Sequence, residues 1–145
     1  MSVISGSGSK IYISDDLPAA NNKTSFDALT WVEIKEVTSI GEFGRDYSMI
    51  EHSPIDKRQT VQIKGNFTEG SVALAFASVP ADAGQILVNT ASKSDDDFSF
   101  KIVRTDGVID AFTGKVTAFK PTVQGGSILS VSSNISIQTE IIDIK

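Results

Sequence analysis

Apolar and polar residues alternate with a period of two over most of this chain, the signature of half-buried β-strands. The clearest stretch is the last third. Over 98–104, Phe98, Phe100 and Ile102 alternate with Ser99 and Lys101, Thr105-Asp106-Gly107 is a turn signal, and alternation resumes over 108–119; this predicts a hairpin. After Lys120-Pro121 and the Gly125-Gly126 break, 127–144 forms one polar–apolar run without proline or glycine. A common strand has about 5–6 residues, and this run at about 3.3 Å per residue would extend ~60 Å. It must therefore bend, pair with several partners in turn, or belong to something larger than one compact domain. Val131, Ile135, Ile137 and Ile141 fall on one side of it, and Ser132, Asn134, Ser136, Gln138 and Glu140 on the other. This second face is short, polar and mostly uncharged. It suits water or a large hydrated object passing by, and it lacks the aromatic and basic side chains that grip nucleic acid.

Earlier in the chain, strands are predicted over 10–14, 30–34, 37–40, 57–67 and 71–78. In the last of these Val72, Leu74 and Phe76 alternate with alanines, a face narrow enough to lie under a helix. One short helix is predicted over 81–91, with Pro80 near its start and Asp82 in its first turn. Trp31, the only tryptophan, reads as a core anchor, with a binding role as the alternative. Residues 1–9 form a small-residue arm with two glycines, either a frayed end or a segment that packs on a neighbouring subunit. The segment 41–57 breaks the alternation. Phe43, Tyr47, Met49, Ile50 and Ile55 are interleaved there with Arg45, His52 and Lys57, and Pro54 interrupts them. Long connections inside small domains are uncommon and usually functional or disordered, and disordered linkers are poor in such apolar residues. The segment is therefore expected to be an interaction loop that orders on a partner surface; a hairpin arm packed on its own domain is the competing reading.

At 145 residues and 40% hydrophobic content, the chain suits a single domain, 1–145, able to bury a core. It has no cysteine, which removes disulfides and thiol chemistry and agrees with a reducing cytoplasm. No signal peptide or ~20-residue apolar run is present. A formal charge of −5 is the wrong sign for holding phosphates. His52 has Ser53 and Asp56 near it in sequence but no nucleophile elbow, so no catalytic residue is assigned and no enzyme is expected. Asp15-Asp16 and Asp95-Asp96-Asp97 lack the spacing of a calcium loop and read as solvated turns, so no metal is expected. No phosphate-cradling or zinc pattern appears, and no cofactor is expected.

Lys101-Ile102, Asp106-Gly107, Phe112-Thr113-Gly114-Lys115-Val116 and the closing 131–142 stretch together resemble the tail tube proteins of lambda-like long-tailed phages. The likeness extends back over 71–93, while the first half matches in layout. The resemblance implies a mainly β, antiparallel sandwich or barrel of the tail-tube type, with one short α-helix and a long inter-strand loop. It implies a structural virion protein, assembled in the host cytoplasm, whose copies form hexameric rings stacked into a tail tube that conducts DNA. Tape-measure, tail-tip and tail-terminator proteins would be its partners, and genomic DNA would pass without specific binding. In that family a long loop reaches the next ring, and 41–57 sits where that loop belongs: Phe43, Arg45, Tyr47, Met49, Ile50, His52, Pro54, Ile55 and Lys57 are the expected stacking residues. Ser132, Asn134, Ser136, Gln138 and Glu140 are the expected lumen face. The lambda protein carries an extra immunoglobulin-like domain after its tube domain, and this sequence, ending at Lys145, departs from it there. A secretion-system tube of the haemolysin-coregulated type and a small ligand-binding β-barrel are the alternatives.

Overall fold

The structure, a computed structural model, describes Val3 and residues 5–144. Met1, Ser2, Ile4 and Lys145, and with them part of the expected arm, lie outside the described residues. Within that arm Ser5–Ser9 lies against the later Thr105 turn: Thr105 Oγ1 donates to the Ser5 carbonyl at 2.6 Å and Thr105 N to Ser9 Oγ at 3.3 Å.

In chain order the elements are β1 (Lys10–Ser14), α1 (Lys23–Asp27), β2 (Val32–Ile34), β3 (Val37–Ile40), β4 (Asp46–His52), β5 (Val61–Thr68) and β6 (Ser71–Ala77). There follow α2 (Ala83–Ser92), β7 (Phe98–Val103), β8 (Ile109–Thr122), β9 (Ser130–Ile137) and β10 (Ile142–Asp143). Eight strands make one antiparallel sheet in the order β2-β1-β7-β8-β9-β6-β3, with β10 added to β8. The edges of this sheet, β2 and β3, are neighbours in sequence. Six strand spacings of about 4.8 Å would hold flat edges ~29 Å apart. The link from Ile34 to Val37 spans three peptide steps, at most about 11 Å, so the sheet has to curl back on itself. It does so as an open half-barrel, because β2 and β3 do not hydrogen-bond to each other.

The curl encloses the core. Ile11, Ile13, Val72, Leu74, Phe76, Phe100, Ile102, Phe112, Val131 and Ile135 point inward and are buried, and α2 closes the open side with Val88 and Ala91. Phe100 and Phe112 are cross-strand partners that stack at 5.6 Å between centroids. Helix α2 starts where Asp82 caps it, accepting from Gln85 N at 3.1 Å, as N-caps do. It lies so close to β2 that a Cβ on Gly84 would fall 2.2 Å from the Glu33 carbonyl oxygen. Gln85 is buried and fully engaged: its amide nitrogen donates to the Lys35 and Ala77 carbonyls, and its oxygen accepts from Val79 N. That one side chain ties the β2–β3 corner to the end of β6, replacing the closure that strand pairing does not supply.

Four expectations are corrected. There are two helices: α1, capped by Asn22 Oδ1 accepting from Ser25 N at 2.9 Å, buries only Phe26 and is too short to show a stripe in sequence. Helix α2 covers the Val72, Leu74 and Phe76 side of β6, so the alanine face is the outer one. The 127–144 run breaks into β9 and β10, which pair in succession with the same strand, β8. Lys120-Pro121, expected to be a break, lies inside β8; beyond Gly114 the β7 side of that strand is unpaired, where a proline is tolerated. Trp31 stands at the margin of a second small cluster with Phe26, Ala111 and Ile144, stacked on Phe26 and donating Nε1 to the Phe26 carbonyl at 3.1 Å.

Candidate functional site

The segment 41–57 is not an irregular loop: β4 leaves it to pair with β5 in a separate two-stranded sheet. Residues 53–60 connect the strands, with Lys57 N donating to the Pro54 carbonyl at 3.3 Å to form the tip turn. The register runs His52↔Val61, Ile50↔Ile63 and Met49↔Lys64, then slips through a bulge to Tyr47↔Phe67. Paired residues share a face, so Ile50, Ile63 and Val61 lie on one side of the ribbon and Met49, Tyr47 and Phe67 on the other. Gly65 makes room for Ile50, whose side-chain carbons would lie 3.0 Å from a Cβ there. Neither face is covered. Tyr47, Met49, Ile50, Val61, Ile63 and Phe67 are all between 42% and 55% exposed, and Ile55 at the tip is fully exposed. A two-stranded ribbon is marginal in water by itself, and this one carries apolar side chains on both faces with no second layer from its own chain.

Its base is nonetheless held. Arg45 Nε and Nη2 both donate to Glu69 Oε1, at 3.1 and 2.8 Å, joining the first residues before β4 to those after β5. The same guanidinium lies 4.0 Å from the Phe67 ring centroid, donates to Tyr47 Oη and stands 3.5 Å from Glu140 Oε1. Lys64 Nζ sits over the Tyr47 ring at 4.6 Å. The clasp makes the ribbon an arm of set direction at its root. Below it, a cleft of about 700 Å³ contains a second ion pair. Arg104 Nε is 3.0 Å from Asp110 Oδ2, near enough for charge attraction but not aligned as a hydrogen bond. Burial pushes the Asp110 carboxyl above the ordinary range; Arg104 opposes this, and Asp143 and Asp106 add to it.

The second surface is the outer face of β6, β9 and β8. The pairings Ala75↔Ser132, Ala73↔Asn134 and Ser71↔Ser136 on one side, and Lys120↔Ser132, Ala118↔Asn134 and Lys115↔Ser136 on the other, make a field of small groups bordered on β8 by two lysines. Lys115 is tied to Asp97 and to the Asp95 carbonyl, which places Asp15, Asp16 and the 95–97 aspartates around an ammonium group. Among the described residues no group of acidic or histidine side chains is arranged to hold a metal ion.

Of the expected stacking residues, Tyr47, Met49, Ile50 and His52 lie on β4 and Pro54, Ile55 and Lys57 at its tip. Arg45 is the clasp, and Phe43 packs half-buried against the main core, anchoring the approach to the arm. Of the expected lumen residues, Ser132, Asn134 and Ser136 share one strand face. Gln138 follows the strand and donates back to Ser136 Oγ at 3.1 Å, and Glu140 turns away toward Arg45. Sequence reasoning missed Val61, Ile63 and Phe67 as arm residues, because their alternation reads like that of any half-buried strand. It also missed Val123, Ile128 and Leu129, exposed by half or more at the β8–β9 turn, although an Ile-Leu pair after Gly125-Gly126 was visible.

No protein-family model and no curated protein matches the sequence. Solved structures do. A chain of the SPP1 tail tube, determined by solid-state NMR and cryo-EM, superposes with a TM-score of 0.69 at 12% identity, covering 97% of this chain and 78% of that one. A chain from the sheath/tube terminator of the extracellular contractile injection system PVC gives 0.71 at 10% identity, covering 99% and 97%. A chain from the native gene transfer agent virion gives 0.66 at 10% identity, covering 92% and 94%. From the curled sheet with its closing helix to the projecting ribbon, the protein has the tail-tube fold.

Proposed function

We propose that the protein is a structural virion subunit that self-assembles into stacked hexameric rings, forming a phage tail tube through which DNA passes during ejection. The single observation that carries this is the β4–β5 arm: a ribbon apolar on both faces, clasped at its root and uncovered by its own chain. Monomeric soluble proteins rarely leave apolar patches of more than a few hundred Å² in water, so the arm belongs against another surface. The open edges β2 and β3 point the same way, since unpaired edges template pairing with another chain and ring closure removes them. The extended arm favours a tail tube over a haemolysin-coregulated secretion tube. The small-residue face of β6, β9 and β8 around Ser132, Asn134 and Ser136 is the lumen wall in this reading. Phosphates gain little there, because few cations are offered in exchange for their counterions. The role is that of a passive conduit in the virion tail, with no catalytic step, and terminator, tape-measure and tail-tip proteins act as partners at the tube ends.

The test is negative-stain electron microscopy with light scattering across a concentration series, on the full chain and on a variant in which 46–68 is replaced by a short glycine linker. Hollow tubes from the full chain, and folded but dispersed particles from the variant, are expected. Tubes from the armless variant would remove the arm from assembly.

A further inference from the structure

The arm needs a receiving surface, and the chain carries a candidate at its far end. Strand β6 connects the two places. The arm departs just before its first residue through Thr68, Glu69 and Gly70, while just past its last residue Ser78 N donates to the Leu129 carbonyl at 2.9 Å, fixing the β8–β9 turn there. With seven residues at about 3.3 Å each, arm root and β8–β9 turn lie at opposite ends of one strand. At that turn Val123 and Ile128 are 84% and 80% exposed, and Leu129 and the nearby Ile86 of α2 about half exposed. Beside them a groove of about 280 Å³ runs between α2 and β8, floored by Pro80, Phe119, Pro121 and Val131.

We infer that this β8–β9 turn and the α2–β8 groove are the seat for the β4–β5 arm of a second copy, with the Pro54-Ile55 tip entering the groove. The inference rests on the reading of the arm as a contact between copies, and it names the acceptor. Eleven of the thirteen large hydrophobic side chains recorded as exposed among the described residues belong to these two places, seven on the arm and four at the seat. An arm from one copy and a seat from another together offer on the order of 1,000 Å² of uncovered apolar surface, near the ~1,200 Å² at which stable interfaces begin; seat against seat would fall short. Arm-to-arm pairing would be isologous, would stop at two copies and would leave the seat wet. An arm-to-seat contact is heterologous, covers both and, with its two halves at opposite ends of β6, runs on as an open stack unless a rotation closes it into a ring. The occupant is thus a second copy, and the contact propagates along an axis.

The chain has no cysteine, so Ile55→Cys and Ile128→Cys each introduce a single thiol at an exposed position. The two variants, one of them tagged, are mixed under assembling conditions, oxidised and run without reductant. A cross-link between the two different chains is expected, at least ten-fold stronger than between Ile55→Cys and a Ser132→Cys control. Equal control cross-linking, an Ile55-to-Ile55 band as strong, or assembly without the mixed band overturns the seat. So does a wild-type chain that stays monomeric across the concentration range, because the two surfaces then do not recognise each other. A second variant, Ile128→Asp, separates the two readings, with its fold checked by thermal melting. It should raise the concentration needed for assembly at least ten-fold. If it assembles as wild type does while the armless chain cannot, the arm stands and the seat falls. If the armless chain still forms tubes, the arm drops out of assembly and the seat with it, whereas a wild-type chain that forms no tubes removes the tube reading itself.

Discussion

Strands β9 and β5 are both eight residues long and both place three large apolar residues among polar ones. In β9, Val131, Ile135 and Ile137 are 2%, 0% and 6% exposed; in β5, Val61, Ile63 and Phe67 are 42%, 55% and 50% exposed. The same kind of pattern is satisfied within the chain in one case and left open in the other. Alternation in a sequence states that a strand has a dry side and a wet side. It does not state which molecule supplies the dryness.

The sharpest test of this contrast pairs identical substitutions. Ile135→Ala should cost about 2–5 kcal/mol of monomer stability through the cavity it leaves, whereas Ile63→Ala should stay within about 0.5 kcal/mol, both read by denaturant unfolding. Equal costs would mean that the arm packs on its own body in solution. The glycines give a second pair. Gly84→Ala forces a Cβ onto the Glu33 backbone and should cost about 1–3 kcal/mol, as overpacking does. Gly65→Ala meets only side-chain ends of Ile50 and Ser48, which can turn aside, and should be milder by calorimetry. Arg45→Ala removes a partly exposed ion pair and a ring contact, and should change monomer stability only slightly. Its larger effect should be an increased concentration requirement for tube formation, measured by light scattering, because the arm loses its set direction.

The smallest effect concerns pH. The folded chain holds the Asp110 proton above the pH at which an ordinary carboxyl has lost it. More protons are then bound in the native than in the unfolded state over that window, so stability from this group is present at low pH and is lost as pH rises through the raised value. Asp110→Asn should flatten the melting temperature against pH across that interval, and an unchanged slope would assign the dependence to other groups.

The sheet body was largely legible in the sequence. Lys10–Ser14 and Val37–Ile40 have the predicted bounds, and the Phe98–Val103 hairpin turns at Gly107, with its left-handed φ of 93°, and runs into β8. Local signals suffice there, because period, turn chemistry and partner are close in sequence. What was not legible depended on distant contacts. The outward alanine face of β6 is set by α2 docking on the other side, and the break after Ile137 follows from Gln138 N and Thr139 Oγ1 bonding back to Thr113. The arm was visible as an anomaly, apolar residues without a period, because β4 places Tyr47 and Met49 on one face and Ile50 on the other, so neither side reads as the wet one. Arg45 could not be read as a clasp, since Glu69 lies 24 positions away.

The most direct measurement is amide hydrogen exchange of the full chain, free and assembled. In the free chain, β4 and β5 should exchange far faster than β7 and β8, and on assembly they should become protected while β7, inside the sheet, changes little. Arm amides as protected in the monomer as those of the body, or left unprotected in tubes, would contradict the claim that this ribbon is completed by another copy.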